Sequence, residues 1–145
     1  MRRALAGVVC VVVLGACGKG SPSRPPVPVV VQGGASTWPH VLVQAGGHTA
    51  EVGADLSAKL TPLLATRAFT RPEALTVYGL DRPQAQLDYR GTAGRTAVVV
   101  IGGLNFDRHF FYAQRPGRAT VYLVAADALR PVVALVGIDV APPQD

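Results

Sequence analysis

The chain is poor in the residues that usually carry chemistry. It has two cysteines, Cys10 and Cys17, and none after position 17, so the rest of the chain can form no disulfide and offer no thiol ligand. Its only histidines are His40, His48 and His109, too few and too dispersed for the three or four ligands that a zinc site needs. Aromatic residues make up 6% of the sequence and there is one tryptophan. No apolar run approaches the roughly twenty residues that a helix needs to cross a ~30 Å bilayer core. The longest, residues 4–14, is too short for a permanent span.

That run has a context. Arg2 and Arg3 precede it as a basic n-region, and residues 4–14 form an apolar h-region, the plan of a secretory signal. An ordinary signal has small residues at both −1 and −3 of the cut. Ala16 fits −1, but Leu14 at −3 does not. Leu14-Gly15-Ala16-Cys17 instead resembles the bacterial lipobox. The resemblance implies cleavage between Ala16 and Cys17 and acylation of Cys17, with palmitate or a similar chain beside a diacylglyceryl group. One acyl chain holds a protein marginally at a membrane and two or more hold it stably. The bilayer is thus the first expected partner, reached through Cys17. The expected location is the cell membrane or outer membrane, facing the periplasm or the exterior.

The balance of charge changes once the leader is set aside. The whole chain carries a formal +5, but from residue 35 onward ten Lys and Arg face nine Asp and Glu. The arginines are scattered along the sequence, whereas nucleic-acid binding needs clustered basic charge. No nucleic-acid partner is expected. Residues 17–36 are rich in Gly, Ser and Pro, with Pro22, Pro25, Pro26 and Pro28 close together, which reads as a disordered, semi-rigid tether of polyproline character. Val27-Pro28-Val29-Val30-Val31 is more β-branched than a solvated linker usually is, and leaves open an edge strand paired with the domain.

The expected organisation is a signal peptide at 1–16, the lipidated tether at 17–36, one domain at 37–140 and a short tail at 141–145. Within the domain, residues 38–44 read as a strand, Gly46-Gly47 as a tight turn and residues 48–52 as a second strand. Asp55 is positioned to cap a helix whose stripe is Leu56, Leu60, Leu63 and Leu64, with Pro62 kinking or restarting it. Residues 84–90 alternate apolar and polar, a strand with one buried face. Residues 96–101 are apolar on both faces, so this strand belongs in the middle of a sheet. A connection at 102–108 leads to a strand at 109–114, the Pro116-Gly117 turn of type II pattern and a strand at 119–124. Asp127 is positioned to cap a last helix bearing Leu129, Val132, Val133 and Val136, with Pro131 near its first turn and Gly137 ending it. The fold class is α+β: an antiparallel sheet of about six strands with two short helices.

Tyr78-Gly79-Leu80-Asp81-Arg82-Pro83, a strand pair ending at Ile101-Gly102, the aromatic strand Phe110-Phe111-Tyr112-Ala113, and Val121-Tyr122-Leu123-Val124 before a leucine-bearing helix occur in that order. This pattern resembles the bacterial domain-of-unknown-function 4340 family over residues 38–140. The resemblance implies a cell-envelope protein and supplies no catalytic residues. It gives Tyr78, Gly79, Leu80, Asp81 and Pro83 a structural role. The chain departs from longer members in having one short copy and a clipped N-terminal half.

Other signatures of catalysis are missing. Ser21, Ser23, Ser36 and Ser57 lie in no nucleophile elbow. Gly102-Gly103 follows a strand but is followed by another strand, without the helix N-terminus of a phosphate cradle. Asp81 and Asp88 have turn and outward-strand explanations. No metal, cofactor or catalytic residue is expected. The candidate interaction loop is Asn105, Phe106, Asp107, Arg108 and His109, which mixes an aromatic, two charges, an amide and an imidazole. The sequence thus favours a non-enzymatic accessory or scaffold domain that works through an envelope protein partner. The alternative is a module that captures a small apolar or glycan ligand on a sheet face bearing Tyr89, Phe111, Tyr112 or Tyr122.

Overall fold

A computed structural model describes residues 24–145. The signal segment, the Ala16–Cys17 cut and the first part of the tether lie outside the described residues. The described chain is α+β. Its strands are β1 (Val29–Val31), β2 (His40–Ala45), β3 (His48–Glu51), β4 (Leu63–Leu64), β5 (Arg67–Phe69), β6 (Ala85–Arg90), β7 (Thr96–Leu104), β8 (Phe110–Gln114) and β9 (Val121–Ala125). Its helices are α1 (Ala54–Leu60) and α2 (Ala126–Ala134), with a 3₁₀ turn at Leu75–Tyr78. Seven strands form one antiparallel sheet in the order β3-β2-β6-β7-β8-β9-β5, and β1 and β4 form a separate two-stranded ribbon. The sheet is one strand larger than expected because β5, too short to show an alternation, adds to β9 as an edge.

The sheet obeys the alternation of its strands. Val41, Val43, Leu87, Tyr89, Val99, Ile101, Phe111 and Val124 are buried on one face, against Leu60 of α1 and Leu129, Val132 and Val133 of α2. β7 lies fourth of seven, as its two apolar faces predict. Its outer face meets a smaller cluster in which Tyr78, Leu80 and Val121 pack with Phe69, Val100 and Tyr112. The Pro116-Gly117 turn closes as expected: Gly117 has φ 77° and the Arg118 N–H donates to the Arg115 carbonyl at 3.1 Å.

Several sequence expectations are corrected. β1 lies inside the stretch read as tether, and Val30 and Val31 are buried in the main core. The folded part therefore starts before residue 37. α1 ends at Leu60, and Leu63–Leu64 is a strand rather than helix. Proline restricts the preceding residue to extended geometry, and Thr61 adopts it at φ −131°, ψ 93°, so the leucine stripe cannot continue past Pro62. Neither aspartate is a cap. Gly53 and Ala125 are the N-cap residues, and Asp55 and Asp127 lie in the first turns, where the helix dipole favours negative charge. Pro131 stands sixth in the nine residues of α2, beyond its first turn. Gly137 does not itself end the helix, which stops at Ala134 with Leu135 as C-cap; at φ 83° it closes the turn that follows, its N–H donating to the Ala134 carbonyl and that of Ile138 to Val133 in the Schellman pattern. β7 extends to Leu104, so Gly102 and Gly103 belong to a strand and the following connection is shorter than expected.

Tyr89 links sheet to helix. Its ring meets that of Trp38 edge-on at 5.7 Å, and its hydroxyl donates to the Leu60 carbonyl at 3.1 Å, one of the orphan acceptors at the end of α1. Burial pushes the phenol well above its ordinary range. In the unfolded chain the same phenol starts to ionise near pH 10. Above that pH the unfolded state binds fewer protons than the folded one, so stability falls as pH rises, by up to ~1.4 kcal/mol per pH unit from this group. Denaturant midpoints measured between pH 8 and 11.5 are expected to fall along this limb, and Tyr89→Phe is expected to flatten it. An unchanged limb in the variant would show that Tyr89 does not set the alkaline response.

Candidate functional site

The family-motif residues are structural. Tyr78 and Leu80 are buried under the outer face of the sheet, with the Tyr78 ring 4.9 Å from Tyr112 and 6.1 Å from Phe69. Gly79 ends the 3₁₀ turn at φ 67°, and a Cβ there would stand 2.9 Å from the Gly103 nitrogen. Gly102 and Gly103 occupy an irregularity in the β7–β8 pairing, where the register passes from Ile101↔Ala113 to Leu104↔Phe111, one extra residue on β7. Two glycine-bearing backbones therefore approach each other too closely for side chains. Asp81 and Pro83 are exposed on the way to β6.

The loop Asn105–His109 joins β7 to β8 and is tightly self-bonded. The Arg108 N–H donates to the Asn105 carbonyl at 3.0 Å, the Phe110 N–H to Asn105 Oδ1 at 3.0 Å and the His109 N–H to Asp107 Oδ1 at 3.0 Å. The His109 N–H, aided by the Asn105 side chain, holds the Asp107 carboxyl below its ordinary range. Arg130 reaches from α2 to the Arg108 carbonyl at 2.6 Å, and the Gln144 N–H in the tail donates to Asp107. Arg108 holds φ 61°. These bonds leave Phe106 at the tip, 96% exposed. The loop is a built turn that offers one aromatic ring to solvent.

Of the aromatics considered for a ligand face, Tyr89, Phe111 and Tyr122 lie on the helix-packed side of the sheet and Tyr112 on the other. Tyr89 and Phe111 are fully buried, and Tyr112 packs on the outer face with Tyr78. Tyr122 lines an open cavity. Among the described residues no group of three or more His, Cys, Asp or Glu side chains is placed to hold a metal ion. His40 pairs with Glu51 across the β2–β3 hairpin at 2.7 Å, both side chains more than half exposed. No described helix is long and apolar enough to cross a membrane.

The feature that sequence reading missed is at the other end of β7 from Phe106. A cavity of about 500 Å³ opens where β1 crosses the ends of the central strands, lined by Trp38, Arg95, Arg115, Arg118, Thr120 and Tyr122 among others. The arginines lie up to 23 positions apart in sequence, in two separate turns. Antiparallel pairing puts the start of β7 and the end of β8 at one end of the sheet, and that gathers them. Only the strand register could have revealed this. Trp38 is fixed there by donating from Nε1 to the Gln32 carbonyl at 2.7 Å.

Fold and surface together define a small antiparallel α+β domain with a rigid aromatic-tipped loop at one end and an arginine-lined cavity at the other. No family model, curated protein or solved structure matches the chain.

Proposed function

We propose that this chain is a lipid-anchored cell-envelope protein whose folded domain acts as a non-enzymatic accessory or scaffold, through contacts with an envelope protein. The reading draws its placement from Leu14-Gly15-Ala16-Cys17 behind a basic and apolar leader, and takes support from the resemblance to the domain-of-unknown-function 4340 family. The observation that carries the contact mode is Phe106, almost wholly exposed on a loop whose neighbours are all bonded into place. A large ring held rigid loses little conformational freedom on docking, and aromatic anchors dominate binding energy at protein interfaces.

The test has two parts. Metabolic labelling with palmitate is expected to mark the wild-type chain and not Cys17→Ser, and the variant is expected to leave the membrane fraction. An unlabelled wild-type chain that still carries residues 1–16 would overturn the placement. A photocrosslinker at Phe106 is expected to trap one defined species in intact cells, absent when the probe stands at Val77, another exposed apolar position. Equal, diffuse crosslinking from both positions would count against the scaffold role.

A further inference from the structure

The cavity at the start of β7 carries a charge imbalance that the fold does not explain. Arg95, Arg115 and Arg118 line it, and no Asp or Glu does. The ion pairs among the described residues are His40–Glu51 and Asp127–Arg130, so none of the three is paired. Residues 1–23 contain no Asp or Glu that could serve. Three arginines bordering one space, Arg115 half-buried and Arg95 and Arg118 exposed, repel each other, and an anion in the space would relieve that repulsion. The rest of the lining suits such a ligand. Thr120 and Tyr122 bring hydroxyls, the buried Trp38 adds an aromatic wall, and the volume falls in the range of small-molecule sites.

We propose that this cavity binds a phosphomonoester group. Arginine's planar fork matches phosphate oxygens two at a time. A single carboxylate would engage one guanidinium and leave two unmatched, whereas a phosphomonoester presents three terminal oxygens and a charge of about −1.5 to −2 at neutral pH. The site lies at the opposite end of the nine-residue β7 from Phe106, about 30 Å at strand spacing. It is therefore independent of the loop contact proposed above, and of the anchor at Cys17.

Trp38 makes the test direct, because it is the single tryptophan and it lines the cavity. The full chain in neutral detergent is titrated with inorganic phosphate, glycerol 3-phosphate and acetate, following Trp38 fluorescence and the thermal midpoint. A second arm uses vesicles with and without phosphatidic acid, whose headgroup is also a phosphomonoester. Saturable change with the soluble phosphates and not with acetate is expected, weakening as salt rises. Arg95→Ala, Arg115→Ala and Arg118→Ala are each expected to weaken binding about tenfold or more. Without ligand their thermal midpoints should match wild type, since unpaired arginines hold nothing together; the rise in midpoint that phosphate gives should be lost. Response to phosphatidic acid vesicles alone, abolished by the same substitutions, would support the site and assign it to a lipid headgroup. No response in either arm, a response equal for acetate, or one that survives all three substitutions would overturn the proposal.

Discussion

Gly102→Val is expected to destabilise the domain by about 3 kcal/mol, the upper part of the usual range for overpacking a filled site. The first atom added at Gly102 would collide with the Tyr78 carbonyl oxygen and stand 3.0 Å from the Leu80 side chain. Gly102 lies in the middle of the sheet, where β7 is held by β6 and β8 on either side, so the strand cannot retreat. The segment Tyr78–Leu80 must move instead. That would pull Tyr78 and Leu80 off Val121 and open the outer cluster. Gly79→Ala should cost less. It adds roughly 1–2 kcal/mol for a side chain in left-handed geometry and a contact at 2.9 Å with Gly103. The two should be less than additive, because one displaced segment relieves both collisions. Urea unfolding reads this directly: an unchanged slope with a midpoint lower by about 1–3 M is expected for Gly102→Val, given slopes of ~1–3 kcal/mol/M. A loss below about 0.5 kcal/mol would mean that the close approach of these backbones does not organise the outer face.

The same contact shows how much of this protein was legible in its sequence. The motif Tyr78-Gly79-Leu80 and the pair Gly102-Gly103 were both visible, yet nothing in the chain said that they touch. Strands with alternating or doubly apolar faces, β6 and β7, were placed correctly because side-chain period two and burial leave one reading. β4 and β5 are two and three residues long, too short for any period, and exist because β1 and β9 supply partners. Leu63 and Leu64 fit a helical stripe equally well, and the proline before them decided against it. Asp55 and Asp127 were reasonable caps by residue type, but the helices begin one or two residues earlier in each case. The candidate loop was found from composition, and its rigidity from the hydrogen bonds of Asn105 and Asp107. The arginine cavity lay beyond sequence reading altogether, since two distant turns meet only through strand register.

The stretch read as tether yields the second large effect. Val31→Asp is expected to lose about 3 kcal/mol or more, while Val27→Asp, four residues earlier, should change stability by less than ~0.5 kcal/mol. Val31 is 1% exposed within the main core, and Val27 is 57% exposed. A carboxylate at position 31 would replace a side chain packed in that apolar cluster, and burying charge is among the most destabilising changes a core can receive. The chain has one escape. β1 can detach as a unit, giving up its pairing with β4, the Ala65 N–H bond to the Pro28 carbonyl at 2.9 Å and the Trp38 bond to Gln32. The measured loss therefore saturates at the docking free energy of this segment, which makes the experiment a measurement of that quantity. Trp38 separates the two routes: detachment uncovers it and shifts its emission to the red, whereas global unfolding gives one shared transition for fluorescence and backbone signals. If Val31→Asp behaves like Val27→Asp, residues 29–31 are not part of the folded unit. If it behaves as expected, only eleven residues separate Cys17 from Val29. At ~3.1 Å per residue in polyproline geometry that spans about 34 Å, against about 59 Å for a tether running from residue 18 to residue 36, and an acylated Cys17 would then hold the domain within one domain diameter of the headgroups.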